Sequence, residues 1–140
     1  MKQLLPDEIV QHREAIENSI KEVVTPNSVE IERIMDLLAL GALHCWLLLR
    51  SDLCIGYAIT EVIYDNITNK NLLLVYMTRT LETATPVEIH RFYNDLLDEA
   101  RKNACAALTF YSSFQNEKKY EGLRKYGAIV RTHYYIPVGE

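Results

Sequence analysis

A chain of 140 residues, 49% of them apolar and 24% charged, has the length and composition of one globular domain with a real core. Its net charge of −4 and dispersed basic residues argue against a surface that tracks phosphates. Its longest apolar runs, Trp46–Leu49 and Leu72–Met77, are far too short to cross a bilayer.

The opening segment Met1–Asp7 has no apolar signal core, so a reducing, cytoplasmic compartment is expected. Cys45, Cys54 and Cys105 are odd in number, share no C-x-x-C spacing, and read as core or edge fillers rather than a disulfide framework. His44 and Cys45 are neighbours at the start of a predicted strand, where alternation aims them at opposite faces. They cannot chelate one metal together, and no metal site is expected. Lys118, Lys119, Arg124 and Lys125 are interleaved with Glu117 and Glu121, the pattern of a solvated helix face. Neither nucleic acid nor membrane is an expected partner.

In chain order, the first predicted helix runs from about Pro6 to Val23. Pro6 suits its first turn, Asp7 and Glu8 complement its positive end, and Ile9, Ile16, Ile20 and Val23 mark one face. After Thr25-Pro26-Asn27, the spacing of Ile31, Ile34, Met35 and Leu38 predicts a second helix, with Gly41 as its stop. Cys45–Arg50, Ile55–Tyr64 and Asn71–Arg79 then read as a three-stranded antiparallel meander with polar breaks between. The outer two are apolar on both alternating sets of residues, which implies a sheet covered on both faces.

Thr85-Pro86-Val87-Glu88 is a helix start: a hydroxyl cap, a proline in the first turn, and a carboxylate three residues past the cap. Ile89, Phe92, Tyr93, Leu96 and Ala100 give its buried stripe, up to about Asn103. Ala106–Tyr111 follows as a strand parallel to Asn71–Arg79, because a helix crosses between them. A short helix from Asn116 to Tyr126 and a strand over Ile129–Val138 close the chain. The fold class is α/β, a mixed sheet in the order α-α-β-β-β-α-β-α-β.

That order, with Asn116 opening the last helix and Gly127 closing it eleven residues later, resembles the GNAT acetyltransferase superfamily over nearly the whole chain. The strand that usually precedes the family's first helix would have to come from Met1–Leu5, a segment too short to be counted on for pairing. Trp46, Thr60-Glu61-Val62 and Tyr126-Gly127-Ala128 also resemble the acetyltransferase-like proteins of tailed bacteriophages. That closer resemblance implies a virion or assembly component, placed in the host cytoplasm or the virion.

The superfamily implies acetyl-CoA as cofactor, its diphosphate cradled by a glycine-rich turn at a helix N-terminus, where a side chain would hold the phosphate off the amides. This chain has no glycine between Gly56 and Gly122. The family's small-residue positions fall instead on Ile89, Arg91 and Tyr93. The family's acid, a tyrosine seven residues after the asparagine, is Leu123 here, with Tyr120 and Tyr126 one turn to either side.

Two readings follow. In one, the fold is kept, the acetyl-CoA site is lost, no cofactor is bound, and the protein works through protein–protein contacts, with Tyr120, Tyr126, Tyr134 and Tyr135 as interface aromatics or an oligomer as the product. In the other, it is an acetyl-CoA-dependent N-acetyltransferase with an unusual site between the parallel strands. There Met77, Thr78 and Arg79, with Arg91 and Asn116, would hold the cofactor. Glu61, on an apolar strand face with Tyr57, Ile59 and Ile63, would be the base, and Tyr120 or Tyr126 the acid. Glu82, in the loop before the third helix, is a weaker candidate base.

Overall fold

The computed structural model describes residues 1–23, 28–110 and 138. A two-residue strand β1 (Lys2–Gln3) leads into α1 (Pro6–Gln11), α2 (Arg13–Val23) and α3 (Ser28–Ala39). The meander is β2 (His44–Arg50), β3 (Leu53–Asp65) and β4 (Lys70–Thr80), followed by α4 (Pro86–Lys102) and β5 (Ala107–Phe110). The sheet order is β1-β2-β3-β4-β5, antiparallel throughout except for the β4–β5 pair, which is parallel from Leu72↔Ala107 to Val75↔Phe110. The closing helix and strand predicted over Asn116–Val138, and the turn at Thr25-Pro26-Asn27, lie outside the described residues.

Three features depart from the sequence reading. The opening segment does pair: Lys2 faces Leu47 and Gln3 faces Trp46, and Leu4 N donates to Cys45 O at 2.9 Å. Burial of the Leu4 side chain anchors this short strand to the core. The first helix is two, broken at His12, whose backbone leaves helical geometry at φ −100°, ψ 5°. There the His12 ring lies with Nδ1 2.9 Å from the Tyr57 hydroxyl, so a polar contact to β3 sits at the bend. Periodicity is blind to such a break, because Ile9, Ile16 and Ile20 remain buried on one side of it. Third, β4 carries a bulge. Ile59 pairs with Met77 but Thr60 with Val75, leaving Tyr76 unopposed on β3.

The sheet is covered on both faces, as its apolar strands require. One face packs Cys45, Leu47, Tyr57, Ile59 and Met77 against Ile9, Ile16, Ile20, Ile31, Met35 and Leu38 of α1–α3. The other packs Trp46, Leu48, Ile55 and Ala58 against Phe92 of α4. A buried bond from Trp46 Nε1 to Thr60 Oγ1, 2.9 Å long, satisfies both polar atoms on this second face. α3 stops where predicted: Gly41 takes φ +76°, and Ala42 N returns to Leu37 O at 2.9 Å. Among the described residues, no helix is long and apolar enough to cross a membrane.

Gly56 marks a close approach within the sheet. A Cβ there would lie 2.1 Å from Arg79 O and 2.8 Å from Thr80 Cα. The absence of a side chain lets the end of β4 lie flat on β3. It also sets the position of Thr80, which lines the cavity described next.

Candidate functional site

A cavity of about 360 Å³ opens between the C-terminal half of β4 and α4. Thr78 and Thr80 supply its floor, Ile89, Phe92, Tyr93 and Leu96 one wall, and Thr83 its rim. These residues meet because β4 alternates, sending Thr78 and Thr80 to the α4 side with Ala58 and Gly56, their partners on β3. The lining is apolar apart from its threonine hydroxyls and Tyr93. In an open α/β sheet, the carboxyl ends of parallel strands are the geometric place for a ligand.

The N-terminus of α4 stands beside this cavity, and the amides of Glu88 and Ile89 there are already used. Pro86 has no N–H. Glu88 N donates to Thr85 Oγ1 at 3.2 Å, and Ile89 N to Thr85 O at 3.0 Å. Thr85 N in turn donates to Glu88 Oε1 at 3.0 Å, which completes the capping box predicted from sequence. The Glu88 side chain is only 9% exposed, and Arg50, at the end of β2, grips it with both prongs: Nε to Oε2 at 2.9 Å and Nη2 to Oε1 at 2.8 Å. Arg50 also reaches Glu82 at 3.2 Å and Thr83 O at 2.9 Å. The hydrogen bond from Arg50, with that from the Thr85 amide, holds the Glu88 carboxyl below the usual glutamate range, at about 2. At neutral pH a permanent carboxylate therefore sits over the helix end, where the macrodipole and free amides would otherwise attract an anion.

Glu88 also takes a position that the sequence reading gave to Ile89. The buried stripe is Glu88, Phe92, Leu96 and Ala100, and Ile89 is 42% exposed. A charged residue at the inward position is invisible to a hydrophobic pattern. Its guanidinium partner lies 38 residues away in sequence, on another strand.

The sequence-predicted site residues scatter. Thr78 lines the cavity, but Met77 and Arg79 point through the opposite face of the sheet: Met77 is buried among the α1–α3 core, and Arg79 pairs with Glu22 of α2. Arg91 donates to Leu49 O at 2.8 Å and lies over the Phe92 ring, and it is not among the residues that line the cavity. Glu61 shares the Ile59 side of β3, away from α4. It is half-buried and accepts a 2.6 Å bond from the hydroxyl of Tyr76, the bulge residue. The closed apolar setting expected for it is replaced by a phenol partner at the surface. Glu82 is paired with Arg50. Asn116, Tyr120 and Tyr126 lie outside the described residues.

Two of the three thiols, Cys45 and Cys105, are poor nucleophiles. Burial pushes the Cys45 thiol up to about 12, so its thiolate is negligible at neutral pH. Burial, with Glu99 nearby, raises Cys105 as well. Among the described residues, no group of three His, Cys, Asp or Glu side chains is placed to hold a metal.

No protein-family model and no curated protein matches the sequence. Solved structures do match, over almost the full length. An aminoglycoside acetyltransferase from an uncultured soil metagenomic sample, solved with sisomicin, superposes with a TM-score of 0.73 at 11% identity, over 99% of this chain and 95% of its own. A ribosomal-protein-alanine N-acetyltransferase from Brucella melitensis biovar Abortus 2308 gives 0.70 at 13% identity, over 98% and 97%. A predicted acetyltransferase from Clostridium acetobutylicum, solved with acetyl-CoA, gives 0.67 at 20% identity, over 99% and 94%.

Proposed function

We propose, from the premise that this chain has the GNAT-like acetyltransferase fold, that it keeps the fold without the diphosphate seat and works through contacts with other proteins. One observation carries this reading: the Glu88 carboxylate, clamped by Arg50 and Thr85, stands at the N-terminus of α4. A diphosphate brought there would meet a like charge and would have to displace a bidentate ion pair. It would find the Glu88 and Ile89 amides already bonded. Bulk at Ile89 and Tyr93 adds to the obstruction, since both line the adjoining cavity. The phage-like resemblance suggests a virion or assembly protein as the partner; a coding gene beside portal or capsid genes would agree with it, and a metabolic operon would not.

A second reading, an acyl-CoA-dependent N-acyltransferase, is favoured by the cavity itself. It has room for a slender arm running along Thr78 and Thr80. Glu61 does not serve that reading, since it lies on the other side of the sheet.

Calorimetric titration with acetyl-CoA separates the two. The first reading expects no saturable heat up to millimolar ligand. Affinity in the micromolar range would replace it with the acyltransferase reading.

A further inference from the structure

The cavity under α4 has a cause in the sequence. Gly56 and Ala58 of β3 are the register partners of Thr80 and Thr78 of β4, so small residues stand side by side beneath the helix. Phe92 and Leu96 of α4 cover them, and about 360 Å³ is left between. Packed interiors leave few voids larger than a water molecule, whereas pockets for small molecules start at about 300 Å³. The space is on the scale of a ligand, not of a packing fault.

Its lining is graded. Leu48, Phe92 and Leu96 are buried and make the inner end apolar. Ala84 is half-buried, and Thr83 and Ile89 are exposed, so these mark the outer end. Thr78 and Thr80, both half-buried, add hydroxyl groups along the floor. Among the described residues, no lysine, arginine, histidine, aspartate or glutamate lines the space.

The charges at the rim are already committed. Arg50 donates to Thr83 O at 2.9 Å, to Glu82 at 3.2 Å and to both carboxylate oxygens of Glu88. One guanidinium thus serves two carboxylates, and an incoming anion would add a third negative charge. We infer that the cavity binds an uncharged, mainly apolar small molecule, aliphatic or single-ringed, with one hydroxyl or amide head. Its apolar end lies against Leu48, Phe92 and Leu96, and its head lies toward Thr83. Such a ligand gives up little hydration on entry, while a charged one would be desolvated without a counter-ion. This binding stands apart from the proposed protein contacts, which do not require the cavity to be filled.

The test is a 15N–1H NMR titration of the full chain with octanamide and with octanoate, which match in shape and differ in charge. Octanamide should shift the amides of Thr80, Ala84, Phe92 and Leu96 saturably, with a dissociation constant of roughly 1 mM or below, the scale for a ligand of its size. Octanoate should bind roughly tenfold more weakly or worse, because its carboxylate would lose water beside two others. Ala84→Leu and Ile89→Phe each fill the space from a position outside the core, and each should weaken octanamide severalfold. Equal binding of the two probes, no shifts up to the solubility limit of octanamide, or shifts confined to other elements would overturn the inference. Undiminished binding to both variants would do the same. Displacement of octanamide by micromolar coenzyme A would also overturn it and hand the cavity to the acyl-CoA reading. Octanamide binding that coenzyme A leaves untouched supports it, and failure of octanamide to bind leaves the protein-contact proposal standing.

Discussion

Replacing Gly56 with alanine is expected to destabilise the fold by about 3 kcal/mol, the upper end for overpacking in a core. The added methyl would sit 2.1 Å from Arg79 O. The obstacle is main chain in a paired strand, so no rotamer change relieves it. Relief requires β4 to lift from β3 at the register pair Gly56↔Thr80, and Gly56 is also paired to Leu48 on its other side. Because Leu48 and Thr80 both line the cavity, its mouth should open as stability falls. Thermal unfolding would show a midpoint lowered by roughly 10 °C for a domain of this size. A midpoint within a degree or two of the parent would mean the strands are not held this closely.

The second large effect lies at the Arg50–Glu88 clamp, and its signature is pH dependence. Glu88 titrates at about 2 in the folded protein, against about 4.3 for a free glutamate. A depressed value means the folded state binds the proton less readily than the unfolded chain. The clamp therefore contributes in full above the free value, and its contribution is lost as pH falls from about 4.3 toward 2. Glu88→Gln removes the charge while keeping the shape. The variant should unfold at lower urea than the parent at pH 7, and the gap should close progressively below pH 4. Arg50→Ala should show the same convergence with a larger deficit at neutral pH. That variant leaves a nearly buried carboxylate without its cation, and also frees the Glu82–Thr83 loop. A gap that stays constant from pH 7 to pH 2.5 would assign the effect to packing rather than to charge.

These expectations turn on parts of the molecule that differ in how far sequence displays them. The meander, the crossover helix and the parallel fifth strand were legible because each rests on local signals: alternating apolar sets at 72–77, the Thr85-x-x-Glu88 box, the Gly41 exit. β1 was not legible, because two residues carry no periodicity and their pairing is decided by β2. The bulge at Tyr76 was hidden for a related reason. Both alternating sets of β4 are apolar, so a shift of one residue leaves the pattern unchanged. In the site, the sequence displayed the missing glycines and the capping box but not what they add up to. Glu88 is an ordinary third helical residue until Arg50 arrives from the far end of β2. Arg79 and Arg91 looked available to a phosphate because a sequence shows charge without its partner. Met77, Thr78 and Arg79 were grouped by adjacency, yet a strand splits neighbours between its two faces, and only Thr78 meets the cavity.

Whether backbone amides at the head of α4 are open to a ligand decides between a lost and a retained diphosphate seat. The most direct measurement is the 15N–1H spectrum of Glu88 and Ile89 during addition of coenzyme A, with pantetheine, which lacks the diphosphate, as the control. Occupied amides predict resonances that stay in place to millimolar coenzyme A, and no advantage of coenzyme A over pantetheine at any cavity residue. Saturable downfield movement of these two amides at micromolar coenzyme A, absent with pantetheine, would contradict it.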